Sequence, residues 1–344
     1  MPAFPYSLPA PRTPDPMDAP TLHWGVLGTG WIAERFVSSV QRHTRQRFTA
    51  VASRDAARAR EFGGRHGIPL ACSYEELVAC PDVDVVYVAT GHAAHLSCAR
   101  LALEAGKHAL IEKPLGLNAA QAAEIARLAA RQNLFCAEAL WTFFLPRFDI
   151  VRQILDSGVL GEIRTVMADI GEYFATGHRI LSPELAGGPL LDLGTYPVAL
   201  ASWVMGPPDQ VLAVGQPHPS GVNGQVAAVL RDAAGNQAVL HTTLCSDTPT
   251  TATIAGTRAT VILPGPFYQP GDVVLLPAGG SSPRTATEPR AGHDALYFEA
   301  AETARRIASG AIEHSLWPLA SSVAALRAMD AIRAQCGIAF PGES

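Results

Sequence analysis

Residues 22–33 read LHWGVLGTGWIA, an apolar run that enters a glycine turn and leaves it as a helix. The turn spells Gly28-Thr29-Gly30-Trp31-Ile32-Ala33, a G-x-G-x-x-A pattern at a strand-to-helix junction. Gly28 permits the tight turn, Gly30 lets the backbone approach a pyrophosphate, and Ala33 is small enough for the helix to pack closely on the strand. The helix N-terminus then faces the phosphates, with Thr29, Trp31 and Ile32 presented to the ligand around it. A bare pattern of this kind also fits an ordinary glycine-rich turn. Strand, loop, helix and second strand fall in register here, which favours a dinucleotide site.

Reading outward, short apolar runs alternate with helix patterns, as in a parallel sheet covered on both faces. The runs are LHWGVLG, FTAVAS, VDVVYVAT, HALIEK and LFCAEAL. Helices are predicted over Ile32–Val40, Ala56–His66, Tyr74–Ala79, His95–Ala105 and Ala119–Gln132, which makes one doubly wound Rossmann unit. Its second strand ends in Ser53-Arg54 rather than in an acidic residue. An arginine there suits a ribose 2′-phosphate, so NADP is preferred, with NAD open if Arg54 is only a solvated residue and Asp55 turns toward the ribose.

After Trp141 the texture changes. A helix, FDIVRQILDSG, leads into IRTVMADIGEYF, QVLAVG, QVAAVLRD, QAVLHTTL, TATIAG, ATVIL and DVVLL, short strands with turn-rich spacing that imply an antiparallel sheet. Gly235 and Asn236 in DAAGNQ supply a hairpin turn. Val226–Leu230 and Ala238–Leu240 are apolar at adjacent positions, so both sheet faces should be covered, one by helices and the other by a second subunit. A homodimer or homotetramer through this sheet is expected. Helices near Ala295–Ser309 and Pro318–Gln335 close the chain, with Leu319, Val323, Leu326 and Met329 at helical spacing. The expected fold class is therefore α/β, in three parts: a Pro-rich flexible arm (1–20), a dinucleotide-binding Rossmann domain (21–140), and an α/β domain for substrate and oligomer contacts (141–344). No internal repeat interrupts this order.

Composition limits the partners. Of 344 residues 48% are hydrophobic and 17% charged, a globular balance, and the formal charge of -5 comes without a basic cluster. No nucleic-acid or membrane-surface footprint follows, which leaves a small polar molecule as the partner. The six cysteines lack any C-x-x-C pair, which suggests reduced thiols in the cytoplasm, and no His or carboxylate cluster has metal-ligand spacing. The first twenty residues do not read as a signal peptide, and Met17 is an alternative start. No apolar run reaches membrane-spanning length.

Two segments carry chemistry. HALIEKPLG puts Glu112, Lys113 and Pro114 at the carboxyl end of a parallel strand, the edge at which open sheets bind ligands. A lysine there can donate to a carbonyl oxygen, or be a surface residue before a turn proline. In GGPLLDLGTYPVAL, Asp192 and Tyr196 stand four apart and share a face if the segment is helical. A tyrosine beside an ammonium exchanges protons with a substrate hydroxyl because the positive charge favours the phenolate. Alone, the pair reads rather as a capping aspartate and an interfacial tyrosine.

Together with the glycine loop, the stretches GHAAHLSCARLALEAGKHALIEKP, EALWTFFLPRF and ELAGGPLLDLGTYPV resemble the Gfo/Idh/MocA oxidoreductase family, from about Leu22 to the C-terminus. EALW and DLGTYP are most similar to the branch holding dimeric dihydrodiol dehydrogenase, NADP-dependent xylose dehydrogenase and glucose-fructose oxidoreductase. The resemblance implies a Rossmann domain followed by a domain with a large, mostly antiparallel sheet that often forms the subunit interface. It implies that Lys113 touches substrate and cofactor, that Tyr196 is the catalytic acid or base, and that Asp192 orients substrate. Thr90 and His95 would line the nicotinamide ribose, with Glu112 beside them; His95 also reads as a hydrogen-bonded structural histidine. Trp141 and Arg179 are substrate candidates, Arg179 also fitting a plain salt bridge. The chain departs from the branch at Phe143, where an arginine is usual, and Arg147 one turn later is the candidate substitute. The implied activity is hydride transfer between NAD(P) and a hydroxyl or carbonyl carbon of a sugar, polyol or trans-dihydrodiol. The rival reading is a catalytically silent NAD(P)-binding sensor of the same fold; a glycine loop serving some other nucleotide ranks below it.

Overall fold

The chain's apolar runs become two sheets. In the computed structural model, which describes Phe4, residues 7–341 and Glu343, strands β1 (His23–Leu27), β2 (Arg47–Ala52), β3 (Leu70–Cys72), β4 (Val85–Val88), β5 (His108–Glu112) and β6 (Cys136–Ala139) lie parallel in the order β3-β2-β1-β4-β5-β6. Helices α1 (Trp31–His43), α2 (Ala56–His66), α3 (Tyr74–Ala79), α4 (His95–Glu104) and α5 (Ala119–Gln132) make the crossovers. Their starts are chemically marked: the Asp55 carboxylate accepts from Ala57 and Arg58 N–H, Ser73 and Glu76 form a capping box, and Asn118 accepts from Gln121 N–H. α1 begins at Gly30 with no side-chain cap. Strand order reverses between β1 and β4, which opens a crevice at the carboxyl edge where the glycine loop sits. The three-residue β3 was not among the expected strands, being too short for its periodicity to show.

Beyond it come α6 (Pro146–Asp156), β7 (Ile163–Gly171), α7 (Pro189–Asp192), α8 (Thr195–Met205), then β8 (Gln210–Pro217), β9 (Asn223–Arg231), β10 (Gln237–Thr243), β11 (Ala252–Gly256), β12 (Ala259–Leu263), β13 (Val273–Pro277) and β14 (Arg284–Ala286). The second sheet runs β14-β13-β12-β11-β7-β10-β9-β8, antiparallel except where β7 meets β10. The expected hairpin turn at Gly235 joins β9 to β10, tied by Asp232 accepting from Asn236 N–H. The closing helices α9 (Tyr297–Ala308) and α10 (Leu319–Cys336) join the halves: α9 packs on α1, and α10 packs on both α5 and α8.

Burial along β8 to β10 alternates. Val226, Ala228, Leu230, Ala238 and Leu240 are buried on the face that α8 and α10 cover. On the other face Leu212 and Val214 are 70% and 72% exposed, and Val239 and Met167 stand beside them in register, at 44% and 45%. This chain therefore covers one face of its second sheet and leaves an apolar row on the other.

The Pro-rich arm is held along α6 and α9 from residue 7 on; residues 1–3, 5 and 6 lie outside the described residues. Asp149 accepts from the Arg12 backbone and guanidinium at 2.6 and 2.7 Å, Gln153 donates to Ala10 O, and Ala19 is buried against Ala301 and Ala304. Prolines restrict the free arm, so docking it costs less conformational entropy.

Arg147 does not reach the cofactor edge. Its guanidinium is buried and donates to the carbonyl oxygens of Gln269 (2.6 Å) and Asp272 (2.5 Å), with longer bonds to Pro266 and Phe267 (3.3 Å each). Burial lowers its pKa to about 10, still a cation at neutral pH. It is the centre around which the 264–272 loop wraps, and the expected substitution for a missing cation at residue 143 is not found. Phe143 itself stacks on Trp317 at 4.8 Å. We expect Arg147→Leu to lower stability by on the order of 3 kcal/mol, read as a shift in the urea midpoint, because several buried carbonyls lose their donor at once.

Candidate active site

Four segments converge at the carboxyl edge of the parallel sheet. The β1 loop supplies Gly28–Ala33. Gly28 has φ +108°, and a Cβ there would come within 2.3 Å of Ala89 O, so only glycine lets the ends of β1 and β4 approach. A Cβ at Gly30 would meet nothing within 4 Å. The uncapped first-turn amides of α1 thus open onto free space, flanked by the half-buried Thr29 and Ile32 and the exposed Trp31. Amide donors plus the positive end of the helix dipole fit the pyrophosphate of a dinucleotide. At the end of β2, Asp55 is engaged in capping α2, Ser53 accepts from Asp55 N–H, and Arg54 is exposed at that corner.

The β4 loop brings Thr90, His92 and His95. His95 is fully buried, with Nδ1 2.8 Å from Pro114 O and Nε2 3.3 Å from Thr90 O. Burial lowers its pKa to about 4, so the neutral ring donates to one of these carbonyls and serves the turn. Both ring nitrogens face backbone carbonyls, which fits its reading as a hydrogen-bonded structural histidine. Thr90 stands at the mouth, half-buried.

Strand β5 ends in Glu112-Lys113-Pro114. The Lys113 ammonium donates to Asp192 O (2.5 Å) and to Asp192 Oδ1 (3.2 Å), and lies 5.1 Å from the Tyr196 ring centroid. Arg179 grips the same carboxylate at 2.9 Å, and His92 Nε2 is 4.0 Å away. Burial pushes the Asp192 carboxyl up, but the Lys113 and Arg179 charges outweigh it and hold the group well below its ordinary range. Asp192 and Tyr196 do not share one helix: the expected helical stretch breaks at Leu193-Gly194, between α7 and α8. The break turns Asp192 toward Lys113, and Tyr196 Oη accepts from Trp141 Nε1 at 3.1 Å.

Burial, then the nearby Tyr268 and Glu112, push the Tyr196 phenol well above 10, against the pull of the Lys113 ammonium 5.1 Å from its ring. Glu112 is buried, accepts from Tyr87 Oη at 2.5 Å, and is pushed up to about 7 by desolvation.

Three walls of the site were not found from the sequence. Tyr268 stacks on Tyr196 at 4.3 Å and 17°, held by the loop that Arg147 organises. His293 stacks on Trp141 at 5.2 Å and meets Trp31 edge-on at 4.8 Å, bridging the glycine loop to the tyrosine's partner. His92 is buried, its pKa lowered to about 3 by desolvation. Only His92 had a signal, lying in the same GHAAH run as His95; Tyr268 sits in a turn and His293 in a short 3-10 helix far along the chain. Trp141 proves nearly enclosed, and Arg179 is half-exposed at the rim.

Profiles of known families match both halves: "Oxidoreductase family, NAD-binding Rossmann fold" over residues 22–139 and "GFO/IDH/MocA C-terminal domain" over residues 148–262. Trans-1,2-dihydrobenzene-1,2-diol dehydrogenase of Bos taurus is 33% identical over 332 residues, covering 93% of this chain and 98% of that protein. The human enzyme of that name is also 33% identical, over 328 residues, with the same coverage. Among solved structures, a 3-ketoreductase from Actinomadura kijaniata in complex with NADP and TDP-benzene superposes with a TM-score of 0.82 at 27% identity, covering 92% of this chain and 98% of that one. Levoglucosan dehydrogenase with NADH and L-sorbose gives 0.83 at 20% identity, covering 92% and 97%, a likeness of fold. Matched along both halves, the chain belongs to the Gfo/Idh/MocA oxidoreductase family.

Proposed function

We propose that this protein is an NAD(P)-dependent oxidoreductase, preferring NADP, that interconverts a hydroxyl and a carbonyl on a sugar, polyol or trans-dihydrodiol. The observation that carries the reading is the convergence of Lys113, Asp192 and Tyr196 on the carboxyl edge beside an uncapped helix N-terminus. The similarity to dihydrodiol dehydrogenases and to an NADP-bound ketoreductase supports the reaction class. When bound, the nicotinamide supplies or accepts the hydride.

The residues of this chain would then divide the remaining work. Gly28, Thr29, Gly30, Trp31 and Ile32 hold the pyrophosphate side, Ser53 and Arg54 the adenosine ribose with its 2′-phosphate, and Thr90 and Glu112 the nicotinamide side. Lys113 stabilises negative charge on the reacting oxygen, and Asp192 fixes the ammonium by accepting from it. Tyr196 moves the proton: its high pKa keeps the phenol neutral, so the resting site is set to protonate a carbonyl oxygen. In the alcohol-oxidising direction Tyr196 must accept a proton, which burial disfavours until the pH is high. Trp141 N–H steadies the phenol oxygen. Tyr268, Trp141 and His293 form aromatic walls that suit the C–H face of a sugar ring or an unsaturated diol, with Arg179 for polar substituents at the rim.

The chain would assemble as a homodimer or homotetramer through the open face of the second sheet, supported by the apolar row Met167, Leu212, Val214 and Val239. A cytoplasmic setting is supported by the six cysteines, all free.

Oxidation or formation of NADPH, followed by absorbance across aldoses, inositols, ketosugars and dihydrodiols, tests the activity. Tyr196→Phe should lower kcat by about 10²- to 10⁴-fold, and wild-type alcohol oxidation should keep rising with pH through the alkaline range; cofactor binding without turnover on any substrate in either direction would leave the sensor reading instead. Arg54→Ala should raise KM for NADP by about ten- to a hundredfold and leave KM for NAD nearly unchanged, the scale of one lost contact to a charged group. For assembly, light scattering of the Leu212→Asp, Val214→Asp double variant should give monomer mass where the wild type gives a multiple; a monomeric wild type would remove that part of the reading.

A further inference from the structure

The Trp141 N–H meets Tyr196 Oη at 3.1 Å, and it does so only while the indole plane is held, because rotation of the ring swings the donor off the oxygen. Two aromatic rings bound that indole on its other sides. His293 stacks on its face, with centroids 5.2 Å apart and planes 27° from parallel, and Tyr268 meets it at 6.5 Å and 76°. Tyr268 is itself stacked on Tyr196, so His293 is the partner that comes from outside the tyrosine pair.

His293 is in turn held from the nucleotide side. It lies late in the chain, on the 3-10 turn Gly292–Leu296, yet that turn is fastened to α1. The buried Ser39 hydroxyl donates to Asp294 O at 2.6 Å and accepts from Tyr297 N–H at 3.1 Å, which stitches the turn to the helix around His293. The Asp294 carboxylate also meets Arg42 at 2.5 Å and His43 at 3.2 Å, both on α1. The ion pair is at the surface and contributes little, so the Ser39 bonds carry most of the restraint. Trp31, the first residue of the same helix, meets the imidazole edge-on at 4.8 Å. Burial lowers the imidazole pKa to about 4, so at neutral pH the ring packs between the two indoles as an uncharged plate.

We propose that His293 is a positioning residue for the proton carrier: braced by α1 and by Trp31, it fixes the Trp141 indole so that its N–H stays on Tyr196 Oη. The helix that opens the nucleotide site thereby also sets the geometry of the tyrosine across the cleft. An uncharged phenyl ring at residue 293 can stack in the same way, and a methyl group cannot. The other groups acting on the phenol, Lys113, Tyr268, Glu112 and Glu299, are untouched by the exchange. Donation from Trp141 favours the phenolate, so its loss should raise the Tyr196 pKa further.

The proposal rests on the oxidoreductase reading for the role of Tyr196, and the test separates the two. Isotope-labelled tryptophan gives the full chain, without cofactor, five indole N–H signals in nuclear magnetic resonance spectra, and Trp141→Phe identifies one of them. Tyr196→Phe shows where that signal moves when the bond to the phenol is lost. His293→Ala should move it the same way and speed its exchange with water, while His293→Phe should keep it near its wild-type position. The signals of the buried Trp24 and Trp317 should stay in place in both variants. With an active substrate, His293→Ala should lose about three- to tenfold in kcat, the scale of one neutral hydrogen bond. Its alkaline limb of alcohol oxidation should move to higher pH, and His293→Phe should restore both. A Trp141 signal that His293→Ala leaves unmoved, a phenylalanine variant no better than the alanine one, or an unmoved alkaline limb overturns the proposal. Absence of turnover on every substrate counts against the oxidoreductase reading and leaves the spectra to decide this one. If His293→Ala does not fold, seen as collapse of the Trp24 and Trp317 signals, the Ser39→Ala, Asp294→Asn double variant decides. It keeps every ring and frees the turn, so an unmoved Trp141 signal there overturns the proposal.

Discussion

The ion pair between Lys113 and Asp192 is the constraint around which the two halves are set. One partner ends β5 of the parallel sheet and the other ends α7 of the second half, so a 3.2 Å contact fixes how the halves meet. Both side chains are nearly enclosed, at 13% and 11% exposure, so each needs the other. Removing one member of such a pair costs about 3–5 kcal/mol because the survivor is left charged in a poor solvent. The carbonyl oxygen of Asp192 accepts from the same ammonium, which adds a backbone restraint to a side-chain one. Arg179 then completes the charge balance from the rim, and its half-exposed guanidinium can move without unpairing the buried carboxylate.

The turn that carries Lys113 is held from three directions. His95 faces Pro114 O, Glu112 accepts from Lys113 N–H, and the Glu138 carboxylate accepts from Leu115 N–H while its other oxygen accepts from Trp317 N–H. Three consecutive backbone groups are thus fixed by buried polar side chains, each of which finds its partner in the turn rather than in water. Arg147 does the equivalent for the opposite wall by gathering the carbonyls of the 264–272 loop, which seats Tyr268 on Tyr196. Both walls are positioned by buried hydrogen bonds, which is how a site assembled from distant segments keeps its geometry.

Elements whose signal is local were legible in the sequence. The glycine loop, the helices α2, α3 and α5, and the strand runs of the first sheet were all readable, because periodicity acts within a few residues. The same holds for Lys113, Asp192 and Tyr196 as members of recognisable motifs. What could not be read was set by tertiary contact. Arg147 looked like a free cation because sequence cannot show five carbonyls closing on it. The raised pKa of Tyr196 could not be read either, because nothing in the chain's order shows how deeply the ring is enclosed beside Lys113. β3 and β14 are edge strands of three residues each, shorter than any pattern of period two can announce. Tyr268 lies in a turn and His293 in a short 3-10 helix, and both acquire their role only from what they are folded against.

The distribution of charge narrows the choice of proton carrier. Three histidines stand at or near the site, His92, His95 and His293, and histidine is the usual side chain for acid–base work near neutral pH. Here desolvation takes them to about 3, about 4 and about 4, so each is neutral at pH 7 and too weak a base to hold a proton through a catalytic cycle. His95 is further engaged by backbone carbonyls. Asp192 is held ionised by two cations and cannot donate. Glu112, displaced toward neutrality, is buried and already accepts from Tyr87 O–H and from the Lys113 backbone N–H. That leaves Tyr196, neutral at rest and steadied at its oxygen by Trp141, beside a lysine whose charge can follow the proton. The burial that makes the histidines poor bases makes the tyrosine a durable acid, so one physical effect acting on four rings selects which of them can exchange a proton with the substrate oxygen.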